Sequence, residues 1–204
     1  HGHLTDELKD RVMAADTLAV LEDIYLPYRP KRRTKGTIAK ERGLEPLAQV
    51  IFEQTGLDSL QVAEPFVDAE KEVPTAEDAL QGARHIIAEW INEDETARSR
   101  LRALFQQKAV VTSMVVGGKQ AEGAKFKDYF DWQEPACKIP SHRLLAMRRG
   151  EREEILSLTM LPDEAAAVEI LETIFIKGRG ADADQVALAV KDSYKRLLSR
   201  SLET

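Results

Sequence analysis

Apolar positions recur at three- and four-residue steps over most of the chain, the period of a helix with one buried face. Leu8, Val12, Ala15, Leu18 and Ala19 form the first stripe, and Leu21 and Ile24 extend it. Thr5 or Asp6 stands where a short side-chain oxygen can accept a free amide of the first turn. Pro27 and Pro30 end the stripe, because neither donates the helical hydrogen bond. A short helix is expected after Thr34 or Thr37, reaching Arg42 and closed by Gly43, and another over 44–52, stopped near Gly56. Residues 57–73 have no clear period. Pro74-Thr75 opens the clearest helix, with Ala79, Ala83, Ile86, Ile87, Trp90 and Ile91 on its apolar face. Thr75 and Asp78 have the spacing of a capping box, although Glu or Gln is the usual partner. After a break over 92–95, Ala97, Leu101, Leu104 and Phe105 align on a further helix.

The period then changes. Val110 to Val116 is β-branched and ends at Gly117-Gly118, which predicts a strand, and Ile155 to Met160 predicts a second. A short helix over 121–130, one opened by Pro140-Ser141 and ended by Gly150, and helices over 163–176 and 184–202 complete the pattern. The expected fold is mainly α and multi-helical, with a minor β element near residues 109–117 and 154–160. Residues 4–56 read as a helical segment with a basic loop, and 74–204 as a helical region holding the β element. Together they read as one continuous helical module.

Composition narrows the class. The chain has 204 residues, 43% hydrophobic and 31% charged, enough for one substantial core or two small ones. No apolar run is long enough for a bilayer-spanning helix. The single Cys137 leaves no internal disulfide and no multi-cysteine zinc site, and a reducing cytoplasm is the expected compartment. Net charge is −6, yet residues 29–42 carry +6 and the remainder −12. A basic element on an acidic body can select a polyanion locally while the body repels it elsewhere.

Catalytic patterns do not assemble. There is no Gly-x-Ser-x-Gly elbow and no Gly-rich loop ending in Lys-Ser or Lys-Thr. His85 and His142 have no second histidine at ligand spacing, His1 and His3 sit at the chain end, and Cys137 reads as an unreactive thiol. Gly178-Arg179-Gly180 reads as a turn. The chain is therefore expected to be no enzyme, with no cofactor or metal. Two constellations stand out. In Pro27-Tyr28-Arg29-Pro30-Lys31-Arg32-Arg33-Thr34-Lys35, the cations Arg29, Lys31, Arg32, Arg33 and Lys35 are placed to neutralise phosphates, with Lys40 and Arg42 supporting and Tyr28 able to stack on a base. The competing reading has this loop pair with the protein's own acids or dock on an acidic neighbour. In the second, Ser141 opens a helix bearing Arg143, Arg148 and Arg149, which either extend the phosphate track or are solvated arginines of a packing helix.

The same segments carry a resemblance. Asp23-Ile24-Tyr25-Leu26-Pro27-Tyr28-Arg29-Pro30-Lys31-Arg32-Arg33-Thr34-Lys35, followed by Ile38-Ala39 and Gly43-Leu44, closely resembles the hallmark of the Tex family of bacterial transcription accessory proteins. So do Gly123-Ala124-Lys125-Phe126-Lys127-Asp128-Tyr129-Phe130, and Pro140-Ser141-His142-Arg143 with Arg149-Gly150-Glu151. The ordered match runs from Leu4-Thr5 to Tyr194-Lys195-Arg196-Leu197-Leu198. The resemblance implies a fragment, the helical N-terminal part of a longer protein in which a ribonuclease-H-like domain, helix-hairpin-helix elements and an S1 domain follow. It implies a nucleic-acid-binding and scaffold module acting in transcription, with sequence-independent phosphate contacts to RNA or DNA. The alternative is a docking module that contacts neighbouring domains, RNA polymerase or other transcription factors. No membrane partner is implied.

Overall fold

Short polar side chains set the helix starts. In the computed structural model, which describes residues 5–28 and 33–203, Thr5 and Thr17 accept the amides of Leu8 and Val20 at 3.2 and 3.3 Å. The first apolar stripe is therefore two helices, α1 (Asp6–Met13) and α2 (Leu18–Tyr25), where one was expected, because Thr17 is extended and restarts the helix as its own cap. A 3-10 turn, Leu26–Tyr28, takes up Pro27. Thr34 and Thr37 cap α3 (Lys35–Glu41) reciprocally, each hydroxyl accepting the other's amide. Gly43 turns the chain out at φ +81°, a conformation that favours glycine. Helix α4 (Glu45–Glu53) ends at Gln54, and Asp58 caps α5 (Ser59–Ala63) by accepting two amides. Residues 57–73, aperiodic in sequence, also hold two 3-10 turns and a bridge between Asp68 and Val73.

Helix α6 (Ala76–Glu93) starts on Thr75 as expected, but Asp78 bonds the Thr75 hydroxyl at 2.5 Å. Asp94 both closes α6 and accepts the Ala97 amide at the start of α7 (Glu95–Lys108). Strand β1 (Val110–Val115) lies between β2 (Asp131–Pro135) and β3 (Leu156–Leu161), antiparallel to both. The expected helix over 121–130 is a 3-10 helix, Ala124–Tyr129. It is followed by α8 (Ser141–Arg152), α9 (Glu164–Phe175) and α10 (Ala181–Ser193). A π-helical turn, Tyr194–Leu198, then leads into α11 (Ser199–Glu203). Among the described residues no helix is long and apolar enough to cross a membrane. The architecture is mainly α with a small sheet, as the periodicity predicts.

The chain divides into two compact units, residues 1–99 with 170–198, and residues 100–169 with 199–204. In the first, α3, α4, α5 and α10 pack around α6. Leu80, Ile86, Ile87 and Ile91 of α6 are fully buried with Leu44, Leu47 and Ile51. Gly82 is required there, since a Cβ would overlap the Leu44 side chain. Helix α2 is fastened to the start of α7 by a buried pair, Arg98 Nε donating to Asp23 Oδ1 at 2.5 Å. Buried Asp182 accepts the amides of Gly56, Leu57 and Ala183 at 2.7 to 3.1 Å and so fixes the turn after α4 to the start of α10. In the second unit, one sheet face covers a core of Val111, Phe126, Met147, Ile155 and Leu156. Gly150 does not end α8 as expected. It is buried inside the helix, where a Cβ would lie 2.5 Å from the Leu156 side chain, so it serves packing. Strand β2 was not expected, because Asp131-Trp132-Gln133-Glu134-Pro135 lacks β-branched residues. Its pairing with β1 and the alternation of half-buried Trp132 and Glu134 supply the strand.

Candidate nucleic-acid interface

The basic segment enters the structure at its C-terminal end. Arg29, Lys31 and Arg32 lie outside the described residues, as do His1 and His3. Arg33 and Lys35 flank Thr34, so the reciprocal Thr34–Thr37 cap fixes the backbone between them. The Gly36 amide donates to Glu89 Oε1 of α6 at 3.1 Å, anchoring the start of α3 to a buried carboxylate. The Arg33 side chain is 73% exposed, and Lys35 is exposed. Tyr28 is half-exposed at the other side of the segment.

The remaining cations are largely matched by acids of the same chain. Arg33 reaches Glu41 at 3.3 Å, Lys40 reaches Glu45 at 2.6 Å, and Arg42 pairs with Glu72. Lys40 also stands 6.0 Å from the ring centre of Trp90. These contacts are solvent-exposed to differing degrees, and exposed ion pairs contribute only about 0–1 kcal/mol, so a phosphate can compete for their cations.

Arg143, Arg148 and Arg149 belong to the other unit. Arg143 lies over the Trp132 ring at 4.8 Å and donates to Glu134 at 2.6 Å, so strand β2 engages it from its inward face. Arg148 pairs with Glu151 at 2.8 Å and Arg149 with Glu153 at 3.1 Å. Sequence pattern does not single out Lys125 as a cation of the site, yet it meets the same Glu153 at 2.5 Å. The Lys125 hydrogen bond, with help from Arg149, holds the Glu153 carboxyl below the ordinary carboxylate range. Lys125, Tyr129, His142, Leu145 and Arg149 line an open groove of about 600 Å³. Tyr129 and the exposed Leu145 offer apolar surface beside two cations. Cys137 is exposed, its Sγ 4.0 Å from the Gln107 carbonyl oxygen. Among the described residues no cluster of His, Cys, Asp and Glu is arranged to hold a metal.

A helix-centred unit with a capped basic segment, and a small sheet unit with arginines on α8, define a helical module with surface cations. The chain belongs to the Tex family: the Tex central region-like pattern matches residues 54–199. It is 45% identical over 162 residues to protein YhgF of Escherichia coli, a match covering 79% of this chain and 21% of that protein. It is 43% identical over 159 residues to the transcriptional accessory protein Tex of Neisseria gonorrhoeae, covering 78% of this chain and 21% of the relative. Similarity to the uncharacterized protein YdcI of Bacillus subtilis extends over 98% of this chain, at 38% identity, and 28% of that relative. The chain thus spans between a fifth and three-tenths of the length of these relatives.

Proposed function

We propose that this chain is a non-catalytic nucleic-acid-binding and scaffold module of a cytoplasmic transcription accessory protein, contacting phosphates without sequence preference. The observation that carries the reading is the anchored, outward Arg33–Lys35 step. A helix cap and a buried carboxylate hold the backbone while the charged ends stay in solvent. Fixing the backbone lowers the entropy lost when cations meet a phosphate chain. Arg29, Lys31 and Arg32 lie in the same run, and Arg143, Arg148 and Arg149 supply further positive charge on the second unit. The name of the Neisseria relative, transcriptional accessory protein, supports the transcription setting.

Binding of a single-stranded oligonucleotide should weaken steeply with salt. Arg32→Ala with Arg33→Ala should flatten the plot of log affinity against log salt by about one unit for each phosphate no longer neutralised. An unchanged slope removes these residues from the interface, and no association in dilute buffer overturns the reading.

One observation favours a second reading, docking onto a neighbouring domain, RNA polymerase or another factor. Arg33, Lys40, Arg42, Arg143, Arg148 and Arg149 each already hold an acid of this chain, so they can lock a protein surface as readily as meet phosphate. Crosslinks from residues 29–42 of the full-length protein to protein and not to nucleic acid would establish that reading.

A further inference from the structure

Helix α6 is gripped from two sides over residues 85–89. From α3, the Gly36 amide reaches Glu89, which sets Lys35 beside this stretch. From α10, the Ser193 hydroxyl donates to the Ala88 carbonyl oxygen at 2.8 Å, which sets its neighbour Asp192 there as well. The chain then widens into the π turn at Tyr194–Leu198, a distortion that often marks functional positions. Arg196 of that turn reaches back and donates from Nε and Nη2 to the Asp192 carboxylate, at 2.6 to 3.2 Å. His85 lies on the same helix, one turn before Glu89. The charges of Lys35, His85 and Arg196 all act on the Asp192 carboxylate, and Arg196 grips it directly. Arg84, next to His85, is turned away toward Glu77 and Gln185.

We infer that Lys35, His85 and Arg196 form a phosphodiester-binding subsite of the first unit, in which Asp192 holds the position that a nucleic-acid phosphate takes. This rests on the nucleic-acid reading above and continues its basic segment through Lys35. A guanidinium gripping a carboxylate in bidentate fashion presents the geometry that also suits two phosphate oxygens. The Asp192 and Arg196 side chains are 34% and 25% exposed, so an incoming phosphate can reach the pair and the carboxylate can swing into solvent.

The protonation states agree with the arrangement. Burial, first, pushes the His85 imidazole below its ordinary value; Asp192 opposes this, and Lys35, Arg196 and Arg84 add to it. At neutral pH the ring is uncharged and can still donate one hydrogen bond. Burial would raise the Asp192 carboxyl, but the Arg196 hydrogen bonds and charge, with His85 and Lys35, hold it below the ordinary range. A phosphate in the carboxylate's place supplies His85 with the negative charge that Asp192 supplies, and the neutral ring adds a hydrogen bond.

The test uses the full chain and a fluorescein-labelled single-stranded oligonucleotide, read by anisotropy at low salt. Asp192→Asn removes the competing charge and should tighten binding roughly threefold to tenfold. Arg196→Gln should weaken it by a similar factor, and Arg196→Lys, which keeps the charge but loses the planar two-point grip, should recover only part of that affinity. His85→Ala should weaken binding, and His85→Gln, which keeps a hydrogen-bond donor, should bind nearer to wild type. A melting temperature near wild type shows that each variant is folded. Unchanged or weaker binding by folded Asp192→Asn, while Arg32→Ala with Arg33→Ala still binds less tightly than wild type, overturns the subsite alone. Absence of binding by the wild-type chain overturns the nucleic-acid reading itself. Competition by inorganic phosphate beyond that of chloride at equal ionic strength, with no response of oligonucleotide affinity to Asp192→Asn, would assign the pocket to a free anion and also overturn the proposal.

Discussion

A charge out of contact with water must find its partners inside the protein, as Asp23, Arg98 and Asp182 show. Asp23 and Arg98 are both under one-tenth exposed. Asp23→Ala takes the facing carboxylate from the buried guanidinium and should cost about 3–5 kcal/mol, read as a lower urea midpoint. Asp182 solves the problem with amides: burial would raise its carboxyl, but the amides of Gly56, Ala183 and Leu57 prevail and hold it below its ordinary value. Its contribution is therefore present above the unfolded value of 3.8 and lost as pH falls through the folded one. His85 has the opposite consequence. The unfolded ring takes a proton near its ordinary 6.5, whereas the folded ring resists it, so the unfolded state binds more protons and stability falls as pH drops below that value. Urea midpoints should be lower at pH 5.5 than at pH 7.5, and His85→Gln should shrink the difference. An equal difference in the variant would place the titration elsewhere.

Elements are held by caps and by the absence of side chains at close approaches. Thr34→Ala removes one half of the reciprocal cap of α3 and should cost about 1 kcal/mol. Gly36→Ala drives a methyl into the Glu89 carboxylate, which must move and give up the amide bond it accepts. That variant should unfold earlier and also loosen the basic segment, visible as faster amide exchange over residues 33–37. In α8, alanine has the better helix propensity by about 1 kcal/mol, which alone favours Gly150→Ala. Overpacking costs about 1–3 kcal/mol and wins here, because the Leu156 side chain it meets is itself buried and cannot swing away. Gly117→Ala meets no neighbouring atom within 4 Å and provides the control. Equal melting temperatures for these two alanine variants would refute the packing role of Gly150.

Across the whole molecule, opposite charges are segregated in sequence and then partly recombined in space. Replacing Glu41, Glu45 and Glu72 together by Gln moves the net charge from −6 to −3 and releases Arg33, Lys40 and Arg42 from their partners. Folding stability should change little, since the pairs are largely exposed. Oligonucleotide affinity should rise, with a steeper salt dependence. An unaltered slope would exclude these three cations from the interface.

Much of the fold is written locally. Helix starts at Thr5, Thr34 and Thr75, the apolar face of α6 and the strand at Val110 follow from spacing and from side chains that act within a few residues. The basic run and the family motifs are likewise contiguous, and their order along the chain carries the family membership. Tertiary structure decided what depends on distant neighbours. Thr17 splits the first stripe, and β2 is a strand because β1 lies beside it. Gly150 is glycine because of Leu156, and Arg143 is engaged by Trp132 and Glu134. The i,i+4 spacing of Asp192 and Arg196 is local, but local periodicity cannot place α3 and α10 on the same stretch of α6 as His85. Capping and periodicity act over a few residues, whereas burial and charge pairing act over a few ångströms, and only the folded chain turns the second kind of distance into a site.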